Sequence, residues 1–520
     1  MRTSLAVAVF IALVFSQAAA QEWEGSLTEL LAARDAGTRE VLLGEVLDAA
    51  PDWRDVASFL EALPFPEAPA DGTPDVRTTV CIDTVERPWV LVVPAGYDPA
   101  RPTPLLVALH GGVGRATLFD DPLEYASGNE FKDMAMERGW IALLPLGQSG
   151  ATWWDEVGMA NVRSLVRTVK SEYNVDDDRV WMIGFSDGAS AGFAHAMVAP
   201  SDYAAFVALN GHIGVGSLDG DLPTYAPNVA NTPVYATTTF DDGLYPSERM
   251  RGTIEMAREA GGDILYREFP GEHDFDDVAF DVPTIARFLE RHPRDPFPSR
   301  IVWETALPEF GACRWFAIDR VTPAAAAPWH VDHNASLEDD RITVGFHPDW
   351  EFEGLGIRVD GLSDGESAAR SMGLKAGDLI VAADAAVMDS LGNMDEWKAA
   401  KRRGDPFVMT VMRGGERVEL RGEFPDVSNY FVFKREAPSA KAVVSYAANV
   451  VSVETSRVGA LRVLVHPDMV VVDQPLVIRV NGETVYEGVV EPDLGFMLLN
   501  FLEERDRKLV YVAEVTVELD

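Results

Sequence analysis

The chain has 520 residues, 47% of them hydrophobic, and a formal net charge of -39. It is too long for one hydrophobic core and too apolar for wholesale disorder, so three or four domains are expected. The carboxylate excess disfavours nucleic acid and anionic membranes as partners, because like charges repel instead of releasing counterions.

Met1 and Arg2 precede an apolar stretch from Leu5 to Phe15, followed by Ala18, Ala19 and Ala20. That layout predicts a signal peptide over residues 1–20 and a secreted or periplasmic mature protein beginning near Gln21. The apolar stretch is short of the roughly 18 residues that a membrane span needs, and no later segment reaches that length. Residues 21–75 carry helical periodicity, as in Leu27, Leu30 and Leu31, then Val41, Leu42, Val46 and Leu47, and close in prolines at 64, 66, 69 and 74. They form a helical lead-in. Only Cys81 and Cys313 are present; a bond between them and two free buried thiols both remain open.

Over residues 76–296, short β-rich runs ("LLVALH", "WIALLPL", "RVWMIGFS", "AAFVALN", "PVYATTTF") alternate with amphipathic stretches. Such alternation predicts a mostly parallel sheet covered on both faces. The break "RHPRDPFP" ends this unit. A β segment and linker follow at 297–339, containing "RIVWETA", "RWFAIDRV" and "TPAAAAPW". Residues 340–424 form a separate module, and 425–520 carry strand after strand, with Asn481-Gly482 as a type I′ hairpin signal. An all-β sandwich is expected there, completed by 297–339 if the module is inserted into it. The fold class is thus multidomain α/β plus β.

"GFSDG", Gly184 to Gly188, lies directly after the strand "RVWMI" and directly before the helix start "ASAGFAHAM". Strand before and helix after are the context of a nucleophile elbow, which exposes Ser186 on a strained turn at a helix N-terminus. Upstream, "LLVALH" runs into His110, Gly111, Gly112, Val113 and Gly114. N–H groups of Gly111 or Gly112, together with that of Asp187, are candidates to hold an oxyanion. The base is expected after the last strands, where "REFPGEHDFDD" supplies His273; His110, His195, His212 and His292 are better placed for packing or surface. Asp241 and Asp242 end "PVYATTTFDD", and Asp242 is favoured as the carboxylate that orients His273. Trp153 and Trp154 follow a strand toward the same sheet end, and either line a substrate pocket or pack in the core.

With Ser186, Asp242 and His273 in that order and "DGLYP" after the acid, residues 76–294 resemble the secreted α/β-hydrolase esterases that include feruloyl and acetylxylan esterases and polyhydroxyalkanoate depolymerases. The resemblance implies a serine hydrolase of carboxylic esters, carbohydrate-linked or polymeric, working without a cofactor. The chain departs from the group in Asp187 after the serine and in "TTTF" before the acid.

The stretch "GIRVDGLSDGESAARSMGLKAGDLIVAADAAVM", with Gly373, Leu374, Gly377, Asp378 and Ile380, resembles a bacterial-type PDZ domain. That resemblance implies a groove for a peptide C-terminus, bound as an added strand. Of two carboxylate-loop candidates, Gly354 to Ile357 and Thr343 to Phe346, spacing favours Val344, Gly345 and Phe346. A structural spacer is the competing reading of the module. No HExxH or paired CxxC spacing suggests a metal. Two rival functions stand beside the esterase: a serine peptidase of the same fold, and a non-catalytic PDZ-bearing binding protein. The chemistry needs only groups between His110 and His273, so the module is expected to be dispensable for a small soluble ester.

Overall fold

The computed structural model describes residues 23–49, 51–67, 71–115, 121–275, 281–339, 341–349, 352–363 and 366–519. The expected signal peptide lies outside them.

Eight strands make the sheet that carries the candidate site: β1 (Asp75–Val80), β2 (Glu86–Val92), β3 (Thr103–Leu109), β4 (Ile141–Pro145), β5 (Val175–Phe185), β6 (Ala205–Leu209), β7 (Val234–Thr239) and β8 (Ile264–Phe269). Their spatial order is β1-β2-β4-β3-β5-β6-β7-β8. The β1–β2 and β2–β4 pairs are antiparallel, and every pair from β4 through β3 to β8 is parallel. Strands buried on both faces need apolar residues at consecutive positions. In β3, Leu105, Val107 and Leu109 enter one core while Leu106 and Ala108 enter the other. Helices such as Glu156–Glu172 and Asp187–Val198 on one face, and Glu130–Arg138 and Val282–Arg291 on the other, cover them. The expected mostly parallel sheet, covered on both faces, is the one observed.

Arg300–Thr305 pairs with Ala440–Ala447, and Phe316–Val321 pairs with Val458–Val465. Strands on either side of the 340–424 module therefore belong to the same two sheets, of five and four strands, which share one core through Ile301, Trp303, Ile318, Val453 and Leu461. The module is inserted into this sandwich. In the hairpin at Asn481 and Gly482, φ is +51° and +89°, as a type I′ turn demands. One expectation is corrected: the C-terminal unit is not all-β. Leu494–Glu504 is a helix whose Met497, Leu498 and Phe501 fill the sandwich core, and Leu27, Leu30, Val46 and Leu60 of the lead-in pack into the same core.

The inserted module has a six-stranded sheet: five strands in the order Phe346–Pro348, Ile357–Leu362, Leu379–Ala383, Pro406–Arg413, Glu416–Glu423, with the short Ala386–Val387 paired off Leu379–Ala383. Helices Ala368–Met372 and Leu391–Ala399 accompany it, and Ile357, Ile380, Trp397, Phe407 and Met409 are buried in its core. It stands on a stem in which Ser336–Asp339 pairs antiparallel with Ser428–Phe431. Cys81 and Cys313 are both buried and unbonded, and burial pushes the Cys313 thiol up to about 12.

Candidate active site

The elbow is built by close backbone approach. A Cβ on Gly184 would lie 2.2 Å from the Gly188 carbonyl carbon, and one on Gly188 would lie 2.0 Å from the Leu109 oxygen. Only glycine fits at either position, which lets β5 turn directly into the helix Asp187–Val198. Ser186 sits at the turn with φ +57° and ψ -118°, a strained conformation that aims its side chain off the sheet edge.

Ser186 Oγ lies 2.8 Å from His273 Nε2, and His273 Nδ1 lies 2.8 Å from Asp242 Oδ2. The tautomer that satisfies both contacts carries its proton on Nδ1, donates it to Asp242, and accepts from the serine hydroxyl. Asp242 is buried; its Oδ1 accepts the N–H groups of Leu244 at 2.8 Å and Tyr245 at 2.7 Å, and its Oδ2 accepts from Asn210 Nδ2 at 3.0 Å. Burial alone would raise its carboxyl, but the His273 bond and these backbone donors outweigh it and hold the group below the usual value. Asp241 points outward and only its N–H is engaged, by the Gly271 carbonyl. Between the two aspartates, geometry selects Asp242.

Gly111 lies against the nucleophile: a Cβ there would be 2.9 Å from Ser186 Cβ and 3.4 Å from Oγ. The carboxylate of Asp187 reaches back to accept the Val113 N–H at 2.8 Å, and the Gly112 N–H also stabilises it. Burial nevertheless raises the Asp187 carboxyl above its usual value. Gly112 is thereby turned toward Asp187, which leaves the N–H groups of Gly111 and Asp187 as the oxyanion candidates. A role for the Asp187 side chain had no sequence signal beyond its unusual place after the serine.

Trp153 and Trp154 are both buried in the core. Trp153 is 1% exposed, wedged under Gly147, with Nε1 donating to the His110 carbonyl at 2.8 Å; Trp154 packs under Gly220. Together with His110, which bonds Gly147 N–H and the Gly111 carbonyl, Trp153 braces the start of the oxyanion loop. Burial lowers His110, His195 and His212 to about 4, so all three are neutral structural groups. His292 packs on Phe288.

The aromatic pocket that sequence reasoning missed lies on the other side. A cavity of about 640 Å³ is lined by Tyr125, Phe131, Phe185 and Phe275 together with the acidic residues Asp121, Glu124 and Glu130. Phe185 faces the His273 ring at 5.1 Å and Phe275 at 5.4 Å. Phe185 and Phe275 each lie within two residues of a member of the Ser–His pair, the one signal that could have found them.

In the inserted module, Val344 is buried and Gly345 has φ +88°, where a Cβ would lie 2.4 Å from Ser367 Cβ. The carbonyls of Val344 and Gly345 accept from Ala369 and Ser363. Phe346 begins a strand at one end of the module's sheet, and no strand among the described residues pairs with its outer edge. His330 is held by Glu304 Oε1 at 3.0 Å and Ser456 Oγ at 2.9 Å, which anchors the linker. Among the described residues no cluster of three or more His, Cys, Asp or Glu is grouped as metal ligands would be.

The sheet and the Ser–His–Asp array define an α/β-hydrolase-like unit with a serine site. No protein-family model matches the chain. The bifunctional acetylxylan esterase/xylanase XynS20E of Neocallimastix patriciarum is 24% identical over 160 residues, a match taking in 30% of this chain and 22% of that protein. Most of the relative's length is thus unmatched. Solved structures with some likeness include a ferulic acid esterase, at TM-score 0.34 and 15% identity over 42% of this chain and 99% of that one. Another is FphF, a fluorophosphonate-binding serine hydrolase of Staphylococcus aureus, at TM-score 0.34 and 14% identity over 43% and 98%. Likeness at that level carries no argument about function, which rests on the geometry above.

Proposed function

We propose that the chain is an exported serine hydrolase that cleaves carboxylic esters through an acyl-enzyme on Ser186. The observation that carries this reading is the continuous Ser186–His273–Asp242 hydrogen-bond array at an elbow flanked by an open cavity. His273 Nε2 takes the hydroxyl proton as Oγ attacks the ester carbonyl, and Asp242 stabilises the imidazolium that forms. The N–H groups of Gly111 and Asp187 receive the oxyanion. Collapse expels the alcohol, protonated by His273. Water, deprotonated by the same nitrogen, then releases the acid and restores Ser186.

The Phe131, Phe185 and Phe275 cavity suits an apolar or aromatic group of the ester. Acetylated xylan is the first substrate to try, given the relative's name, and feruloyl esters follow from the motif resemblance. The inserted module belongs to this reading as a PDZ-like element whose Val344 to Phe346 loop and free edge strand take a peptide C-terminus. The test is labelling with a fluorophosphonate. Wild-type protein reacts at Ser186 and hydrolyses short acyl esters, and Ser186→Ala does neither; labelling that persists in Ser186→Ala overturns the assignment.

A further inference from the structure

The stem of the inserted module is anchored on the rim of the serine site. Just beyond its second strand, Val432 and Phe433 are buried in the hydrolase core. Val432 closes so tightly on Gly214 that a Cβ there would lie 2.4 Å from the Val432 oxygen. Lys434 continues the contact: its N–H donates to Ser217 Oγ at 2.7 Å and its Nζ pairs with Asp221 at 2.6 Å. This rim loop begins at His212, whose ring faces Tyr245 at 5.8 Å, and Tyr245 faces His273 at 5.7 Å. Two ring contacts therefore separate the rim under the module from the base.

A second contact falls on the opposite flank of Ser186. His347, exposed on the edge strand Phe346–Pro348, places its Cε1 3.6 Å from where a Cβ on Gly114 would stand, against the oxyanion loop. Arg341, just after the first stem strand and paired with Asp339 at 3.0 Å, lends its charge to the surroundings of both His212 and Tyr245.

We propose that the inserted module is a wall of the substrate cleft, and that His347 and Arg341 select the alcohol portion of the ester that reaches Ser186. The inference rests on the serine-hydrolase reading and extends it. Module residues meet the hydrolase on both the oxyanion side and the acid side, so a group too large for the aromatic cavity has to lie between the two. Arg341 is already paired with Asp339 at 3.0 Å, so it meets a substrate as one half of an ion pair and not as an open cation. An exposed imidazole and a guanidinium whose charge is already matched suit an uncharged, hydroxyl-rich alcohol, which they hold by hydrogen bonds.

The experiment compares a nitrophenyl acetate with an acetylated xylo-oligosaccharide on wild type, His347→Ala, Arg341→Gln and the double variant. All are checked for folding by circular dichroism and for an intact serine by fluorophosphonate labelling. The expected result is a KM for the sugar acetate raised about tenfold in the double variant with kcat little changed, while kcat/KM for the nitrophenyl ester stays within about twofold. Arg341→Lys, which keeps the charge, should recover part of the loss. Equal losses on both substrates, no loss on either, or a wild type that cleaves only the nitrophenyl ester would overturn the inference while leaving the hydrolase reading intact. A wild type that neither labels nor turns over would remove both.

Discussion

Asp187 spans the elbow: while its backbone opens the helix after Ser186, its carboxylate accepts the Val113 N–H of the oxyanion loop at 2.8 Å. One residue thus sets both halves of the site that would receive negative charge. Asp187→Ala removes the clamp without touching Ser186, His273 or Asp242. The expected outcome is a fall in kcat of about ten- to a hundredfold, below or near the loss of a whole oxyanion donor, with KM for a small ester nearly unchanged. Asp187→Asn, which can still accept one N–H, should fall between. Steady-state kinetics on a nitrophenyl ester decides; a pure KM effect would show that the loop is held by other contacts.

Asp242→Asn should cost several orders of magnitude in kcat, on the scale of about ten-thousandfold seen when a triad carboxylate is amidated. The amide would favour the wrong imidazole tautomer and could not stabilise the imidazolium. Asp241→Asn, at an exposed side chain outside the array, should be close to wild type. The comparison is made on purified, folded variants under identical conditions, and reversal of their order would refute the geometry at His273.

The core of the site was legible because each part of it answers to a local rule. Ser186 was found from a pentapeptide in a strand-to-helix context, and the two glycines of that motif stand where a Cβ would strike backbone. Asp242 was separable from Asp241 only through the turn that follows, and the structure supplies the cause: the Leu244 and Tyr245 N–H groups close on its Oδ1. What local pattern could not supply was long-range partnership. Trp153 and Trp154 have the composition of a pocket and the location of one, yet His110 and Gly147 claim Trp153 for the core. Phe131 comes to the catalytic cavity from a distant helix. The helix Leu494–Glu504 was hidden among strands because its run of apolar residues has no clear polar stripe, and only the sandwich core it fills explains it.

Acid should weaken the fold well before its carboxylates are lost. Burial lowers His110, His195 and His212 to about 4, whereas in the unfolded chain each titrates near 6.5. Between those values the unfolded state binds protons that the folded state refuses, so stability falls as pH falls through that window, by about 1.4 kcal/mol per pH unit for each histidine fully engaged. Asp242 and Asp506, whose values are lowered, contribute losses only at lower pH. Thermal melting followed from about pH 7 to about pH 5 should show a steady drop. A flat profile would mean that the rings take up protons as readily folded as unfolded, or that the carboxyls of Asp177, Asp178 and Asp187, raised by burial and so of opposite sign, cancel them.

The C-terminal unit should be required for the stability of the α/β unit, through Asp506. This carboxylate follows the helix Leu494–Glu504, yet its side-chain partners belong to the α/β unit: Arg294 Nη1 at 2.7 Å, Arg294 Nη2 at 2.9 Å and Lys170 Nζ at 2.8 Å, all buried. Lys170 also lies 3.4 Å from Asp177 and 3.6 Å from Asp202, and Arg294 3.1 Å from Asp178, but Asp506 is the carboxylate that touches both cations and is nearest to each. Asp506→Ala leaves two desolvated cations short of a carboxylate, a change that costs about 3–5 kcal/mol when one partner of a buried ion pair is removed. Asp506→Asn keeps the shape and loses the charge, and should lie between the alanine variant and wild type. By contrast, breaking the surface Arg101–Asp98 pair with Arg101→Ala should leave the melting temperature where it is. Differential scanning calorimetry on the three variants provides the measurement, with ester turnover followed as the hydrolase melts. An Asp506→Ala protein that melts with wild type would show that the hydrolase core stands without this tie, and that apolar packing alone joins it to the sandwich.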